Sequence, residues 1–594
     1  MRKHLYETGL IGNCAYLAHI HKNTNVSWLC WPRFDSSFLF GGLLDKEHGG
    51  EFSILPAEGD CSSHQYYLEN TNVLCTEISC ASGKYRVTDF APRFHKNERY
   101  IKPVMLIRKI EPMEGSPQIR IKCEPVAEYG NVKLRAHRGS NHIDYQGSDD
   151  PVRLTTNVPL TYLLDKTSFV LNETKYLVLT YGNSLDSPLV STSENFLRET
   201  IAYWRLWIKH SSIASFYQKY VIRSALVLKI HQFEDTGAII AASTTSLPEA
   251  DGSGRNWDYR YCWLRDTYYV ISALNHIGHF EEMERYFNWV ADISVSENFR
   301  YQPLYGIDGK KDLHEHVLEH LDGYMGNTPV RIGNQAYEHI QNDIYGQVMI
   351  SLMPLYIDQR FVLPERRDSH KWIRAGLDKI ERTIDEKDAG IWEFRNFENV
   401  HCYSNLFQWA GSAAAAKMAD TIGDEMLKEK ALQLQRQAAK HIESCYDEER
   451  MVYTNAAGSS HLDASTLQLI LMNYLDPSSE RAKKHLEALE KELKTPQGLF
   501  YRYLHRDDFG RPETTFLVCA FWYVEALACV GRLDEAVSEF EKLMQYCNHL
   551  LLFSEDVDED TGSQWGNFPQ AYSHVGLMNA AYRIAMKLDK PVFL

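Results

Sequence analysis

Two glutamates of this sequence, Glu393 and Glu555, sit where paired acid–base chemistry could be done. Glu393 is flanked by Ile391, Trp392 and Phe394, and partial desolvation by such neighbours raises a carboxyl pKa, which suits a proton donor. Glu555 follows Ser554 in the polar, acidic run Phe553-Ser554-Glu555-Asp556, which predicts a solvated, ionised carboxylate. A glycosidic bond is hydrolysed by such a pair: one carboxylic acid protonates the leaving oxygen, and a second carboxylate acts as base or nucleophile. A glutamate in a loop is usually a solvated surface charge, so the pair gains its weight from its company. That company is Trp, Tyr, Arg and carboxylates, in Arg255-Asn256-Trp257-Asp258-Tyr259-Arg260-Tyr261-Cys262-Trp263-Leu264-Arg265-Asp266 and in Gly390-Ile391-Trp392-Glu393-Phe394-Arg395. Pyranose rings offer CH faces that stack on aromatics and hydroxyls that bond to Asp and Arg. For any single Trp, plugging the top of a core is the commoner role.

Two other motifs fail on spacing. Asp556-Val557-Asp558-Glu559-Asp560-Thr561-Gly562 resembles a calcium loop, but its Gly falls at position seven rather than six and position twelve is Asn567. His314, His316 and His320 lack the H-E-x-x-H arrangement, so no metal is expected.

The candidate residues must be carried by elements that join distant segments. Up to about residue 190, short β-branched and aromatic runs at 26–29, 66–68, 104–110, 119–123 and 176–181 are punctuated by turn residues, which predicts an antiparallel β-sandwich over 1–190. Beyond it the period is helical. Twelve segments are predicted, near 212–232, 264–278, 280–296, 334–358, 368–388, 402–421, 425–446, 461–475, 479–493, 513–531, 533–548 and 570–588. Phrases such as Ile277-Gly278-His279-Phe280-Glu281-Glu282 and Val530-Gly531-Arg532-Leu533-Asp534-Glu535 suit tight helical hairpins, with Gly ending one helix and acids opening the next. Short links follow even-numbered helices and long links follow odd-numbered ones. Every long loop, at 233–263, 297–333, 389–401, 447–460, 494–512 and 549–569, therefore falls at one end. Six antiparallel pairs closed into a ring make an (α/α)6 barrel over 212–594. An open α-solenoid is the competing architecture, but its repeats would be more uniform.

Composition removes other functions. Lys and Arg number 63 against 79 Asp and Glu, a net charge of −16 that argues against binding nucleic acid. No run of 18 apolar residues occurs; 517–530 is broken by Glu525 and reads as a buried helix, so no membrane span is expected. Residues 1–12 lack an apolar signal core, which points to a cytoplasmic location. The 12 cysteines show no C-x-x-C and read as reduced, mostly buried thiols, with no disulfide indicated. A homo-oligomer is compatible with all of this.

Taken with Ile11-Gly12-Asn13, Trp28-Leu29-Cys30-Trp31-Pro32-Arg33-Phe34-Asp35-Ser36, Pro329-Val330-Arg331-Ile332-Gly333-Asn334 and Asn567-Phe568-Pro569-Gln570-Ala571-Tyr572-Ser573-His574, the strings above give a chain that nearly end to end resembles glycoside hydrolase family 15, the glucoamylase-like inverting enzymes, in their prokaryotic form. The resemblance implies a β-sandwich, a helical linker over 191–211 and an (α/α)6 barrel. It implies Glu393 as general acid, Glu555 as the base that activates water, and Trp263, Arg265, Asp266 and Trp392 around the terminal glucose. Arg331, Arg502, Glu513 and Trp565 carry over as further sugar contacts on the same rim, and the loop 32–36 as a segment near the mouth. The run Asn399-Val400-His401-Cys402-Tyr403-Ser404-Asn405 departs from many relatives and puts leaving-group-side specificity in doubt. The implied activity is an exo-acting inverting α-glucosidase that needs no cofactor, takes an oligosaccharide or disaccharide and releases β-glucose from non-reducing ends. Its carboxylates would stand about 6.5 to 9.5 Å apart. An α,α-trehalase is the runner-up. A non-catalytic sugar-binding toroid and a phosphorylase are the rivals of other classes; each is disfavoured because both carboxylates are present.

Overall fold

Side-chain alternation builds the first half of the chain. In strand Gln118–Glu124, Ile119, Ile121 and Cys123 are buried while the residues between them face outward. The computed structural model, which describes residues 3–296, 300–361 and 366–588, has an eight-stranded antiparallel sheet in the order Arg135–Arg138, His142–Gln146, Val152–Thr156, Lys175–Tyr181, Met105–Gly115, Gly83–Phe90, Leu74–Cys80, Ser62–Tyr67. Facing it are a four-stranded sheet (Thr8–Gly12, Leu17–His21, Val26–Cys30, Phe38–Phe40) and a three-stranded one (Phe169–Val170, Gln118–Glu124, Glu51–Pro56), which completes an antiparallel β-sandwich. Thr8–Gly12 and Val26–Cys30 are buried throughout rather than alternately, because Thr8–Gly12 packs on the large sheet on one side and on a barrel helix on the other.

One expectation is corrected here. Cys61 and Cys80 form a disulfide, because the hairpin register sets Ser62 opposite Ser79 and so brings the two Cα atoms within 4.5 Å. A separation of 19 residues gave no spacing signal for this. The other cysteines are free, most of them buried.

A helix, Leu189–Lys209, leads into the ring. Its helices are α1 (Gln218–His231), α2 (Leu264–His276), α3 (Phe280–Ser296), α4 (Asp343–Ile357), α5 (Arg366–Thr383), α6 (Cys402–Ile422), α7 (Glu425–Glu443), α8 (Gln468–Leu471), α9 (Glu480–Leu493), α10 (Leu517–Cys529), α11 (Leu533–Leu543) and α12 (Ala571–Lys587). The even-numbered helices form the inner ring: α2 packs on α4, α4 on α6, α6 on α8, α8 on α10, α10 on α12, and α12 closes on α2. That closure rules out the solenoid and establishes the (α/α)6 barrel. Inner helices such as α10 are buried all round, whereas outer ones carry a single apolar stripe, in α7 Leu427, Ala431, Leu434, Ala438 and Ile442. Small residues let the inner helices approach: a Cβ on Gly346 of α4 would lie 1.9 Å from the Phe407 carbonyl oxygen of α6.

Two inner helices are shorter than their period predicts. The segment 334–342 is a 3-10 turn and an extended connection, because the Asn334 side chain accepts the Ala336 N–H and caps the turn before α4 can begin. Around 461–475 a 3-10 turn, Ala464–Leu467, precedes the single turn of α8. All six long loops enter the N-terminal ends of inner helices, so they share one mouth. The sandwich braces that mouth: Trp28 Nε1 donates to the Ser243 carbonyl at 2.8 Å, the Arg93 guanidinium joins the Asn13 carbonyl (2.9 Å) to Glu234 (3.0 Å), and the Asn548 amide holds the Tyr6 carbonyl at 2.8 Å. Among the described residues no helix is long and apolar enough to cross a membrane.

Candidate active site

Glu393 lies in the loop that enters α6. Gly390 and Glu393 both have positive φ, 67° and 61°, which is a strained conformation for glutamate and the kind that collects at functional sites. The conformation turns Ile391 and Phe394 into the core and leaves the Glu393 side chain 20% exposed at the pocket. One oxygen is fully engaged: Oε1 accepts from Trp263 Nε1 (2.7 Å), Arg265 Nη2 (3.2 Å) and Gln341 Nε2 (3.4 Å). None of the described residues donates to Oε2.

Glu555 precedes the two-residue strand Asp556–Val557, which pairs with Thr515–Phe516 and Gln564–Trp565. Its Oε1 accepts from the Tyr259 hydroxyl at 2.7 Å and its Oε2 from the Asn567 N–H at 3.3 Å. Gly566, at φ 75°, is required there, since a Cβ would stand 2.5 Å from the Glu555 Cβ. Glu555 is 1% exposed; burial, reinforced by the charge of Glu249, pushes its carboxyl up to about 8.

This reverses the expected environments. The glutamate with apolar neighbours in sequence is the wetter one, because it opens onto the pocket that those neighbours also line. The glutamate in the polar run is dry, because Ser554 and Asp556 are themselves buried and the Ser554 hydroxyl donates to the Asp556 carbonyl.

Both carboxylates line one open pocket of about 870 Å³. They are joined through two aromatic residues: Trp263 bonds Glu393, Tyr259 bonds Glu555, and the two rings meet edge to face at 5.4 Å. Arg265 and Asp266, from the first turn of α2, both line the pocket and pair with each other, Arg265 Nε standing 3.4 Å from Asp266 Oδ2. Burial raises Asp266 to about 6 against the pull of Arg265. Trp392 lines the wall, its Nε1 anchored on Asp463 at 2.8 Å. Arg502 lines it as well, paired with Glu249.

Three rim expectations need correction. Arg331 is outside the pocket lining, its guanidinium lying 4.7 Å from the ring of Trp257, which lines it. Glu513 is exposed and outside the pocket, and Trp565 is buried outside it, stacked on the His4 ring at 5.0 Å, because the strand Gln564–Trp565 turns it toward the chain's start. The loop 32–36 also stays out of the lining; Ser36 instead accepts Arg260 Nη1 at 2.8 Å. His314, His316 and His320 part company, His314 on the Tyr337 hydroxyl and His320 on the Tyr129 carbonyl. Sequence reasoning missed Tyr259, Gln341, Glu249 and the rim residues Asp507, Asp508 and Phe509. Tyr259 and Glu249 did lie in or beside the aromatic string of the first loop, which was the available signal.

A family model described as glycosyl hydrolases family 15 matches residues 215–582, and one described as trehalase-like, N-terminal, matches residues 3–165. The chain is 34% identical to a trehalase of Thermoplasma volcanium, covering 98% of this chain and 93% of that one. It is 30% identical to a trehalase of Mycobacterium tuberculosis, covering 94% and 86%. A crystal structure of a bacterial glucoamylase complexed with acarbose shares the fold, with a TM-score of 0.68 at 17% identity over 98% of this chain and 94% of that one.

Proposed function

Because the chain belongs to glycosyl hydrolase family 15, and is thus a glycoside hydrolase, we propose that it is a trehalase, cleaving α,α-trehalose into two glucoses with inversion. The observation that carries the substrate is the end-to-end likeness to proteins named trehalase in two unrelated organisms, including a matching trehalase-like N-terminal segment. It moves the reading from the starch-type oligosaccharides expected of a glucoamylase to a disaccharide.

In this reading Arg265 and Asp266 hold hydroxyls of one glucose, and Trp392 packs beside it. Glu393 donates a proton from Oε2, its unengaged oxygen, to the glycosidic oxygen. Trp263, Arg265 and Gln341 fix the other oxygen and so aim the first. As the C1–O bond breaks, a water on the opposite face attacks C1 and gives its proton to Glu555, whose position Tyr259 sets. One ring leaves as β-glucose and the other, whose anomeric bond is not attacked, as α-glucose. The test is proton NMR of the first turnovers on trehalose, with equal α and β signals expected. All-α glucose would mean retention and would remove Glu555 from its role as base. Glu393→Gln should lower kcat by about 10² to 10⁴.

A further inference from the structure

Four of the six long loops meet on the solvent side of the pocket in one knot of charges and rings. Arg331 and Arg395 both lie over the Trp257 ring, 4.7 and 4.8 Å from its centroid, and both pair with Glu315, at 3.1 and 3.2 Å. Phe509 meets Trp257 edge to face at 5.1 Å. Asp508, beside it, spans to the loop that carries Glu393: it accepts the Arg395 N–H at 2.6 Å, the Asn396 N–H at 3.1 Å and the Asn396 side-chain amide at 2.7 Å.

None of these side chains hydrogen-bonds either glutamate, whose partners are Trp263, Arg265 and Gln341 on one and Tyr259 and Asn567 on the other. The knot crosses the mouth. Phe509 is 40% exposed, Asn396 is exposed and Asp508 is half-buried, so the bridge between the third and fifth loops stands where a bound sugar would extend into solvent. A charged side chain committed to three donors across a half-exposed gap is a fastening between loops. Trp257, Phe509, Asp507 and Asp508 all line the pocket on this side, rings and carboxylates of the kind that meet sugar CH faces and hydroxyls.

The geometry points to Asp508 as a specificity-determining residue, the latch that closes the leaving-group side of the pocket around a single sugar ring. The identity of that ring rests on the trehalase reading; the length limit does not. A third ring leaving the pocket on this side would meet the bridge between Asp508 and the Arg395–Asn396 backbone. The latch therefore makes the chain a disaccharidase rather than an enzyme that shortens polymers from their ends.

The test compares the intact enzyme with Asp508→Ala and Phe509→Ala on two series, trehalose with its glucosyl-extended trisaccharide, and maltose with maltotriose, reading kcat and KM for each. The intact enzyme should prefer the disaccharide of whichever series it accepts by about tenfold or more in kcat/KM. Asp508→Ala should shrink that preference by about tenfold, mainly by raising the disaccharide KM, with kcat kept within about threefold. Phe509→Ala, at an exposed side chain, should move the ratio the same way and carries the test if Asp508→Ala melts early. An unchanged ratio in both variants, or a uniform loss through kcat, overturns the latch. An enzyme inert on trehalose but active on maltose sinks the trehalase reading alone, and the latch is then judged on the maltose series.

Discussion

Removing the Tyr259 hydroxyl tests whether Glu555 is the base. In Tyr259→Phe the ring keeps its packing on Trp263, and the loss is one O–H donor to Glu555 Oε1 at 2.7 Å. A hydrogen bond to a charged acceptor contributes about 1.5 to 3 kcal/mol. That bond favours the ionised carboxylate and opposes the burial that pushes Glu555 up to about 8. Without it the carboxyl rises further, by about one to two pH units at 1.36 kcal/mol per unit. A base must be ionised to act, so the acid limb of kcat/KM against pH should move upward by that amount. At pH 6 the variant should lose about ten- to a hundredfold, and part of the loss should return as the pH is raised. Glu249→Gln supplies the opposite sign. The Glu249 charge is the second cause, after burial, of the Glu555 shift, and neutralising it should move the limb down by about one unit. The assay is initial-rate trehalose hydrolysis from pH 4 to 9, and the limbs belong to the glutamate pair rather than to either residue alone. Limbs that move in the same direction in the two variants, or a Tyr259→Phe enzyme with an unmoved limb and full rate, would refute the assignment.

Gly566→Ala should lower kcat by about tenfold or more and cost about 1 to 3 kcal/mol of stability, because the new Cβ would sit 2.6 Å from Glu555 Oε2 at a backbone φ of 75°; a variant with native melting temperature and full rate would show that the loop yields freely. Glu525 of α10 is 5% exposed and raised to about 7 by burial, against the pull of Arg583. A raised carboxyl gives stability that is whole below pH 4.5 and lost as pH climbs through 7, by about 3 kcal/mol at most. Glu525→Gln lacks that loss, so its melting temperature relative to the parent should rise between pH 5 and 8, and a flat difference across that range contradicts the sign.

Periodicity made the barrel legible and failed where side chains cap or cross-link. The stretch 334–358 reads as one helix by its apolar spacing, yet Asn334 bonds the Ala336 N–H, the turn closes, and Gln341 is released to reach Glu393. Cys61 and Cys80 carry no motif; their pairing follows from the register of a hairpin. The two glutamates were legible because aromatics and arginines crowd the loops that hold them. Their surroundings were not. Burial is set by segments far apart in the chain: Glu555 receives its hydroxyl from a residue 296 positions away, and Glu249 meets Arg502 across 253. Trp565 followed the two-residue alternation of its strand to the wrong side of the wall for a sugar contact, and only the strand pairing with Asp556–Val557 reveals it.

On the reading that Glu555 is the base, its burial to 1% exposed looks misplaced, since a dry carboxyl suits an acid. The magnitudes say otherwise. With its carboxyl raised to about 8, Glu555 is mostly protonated at neutral pH, a penalty on the order of 1 kcal/mol. In return, proton abstraction from water becomes easier as the conjugate acid weakens, and a base poised near the working pH gains more in the transition state than one of ordinary strength that is always ionised. The site limits the penalty with two donors, the Tyr259 hydroxyl and the Asn567 N–H, which bond the ionised form. It keeps the gain by holding Glu249 close, whose charge works against those donors. Burial, the Glu249 charge, two donors and the Arg502 guanidinium thus set the Glu555 carboxyl together. Arg502, which pairs with Glu249, also lines the wall, so a sugar that engages it would change the electrostatics of Glu555 without touching it.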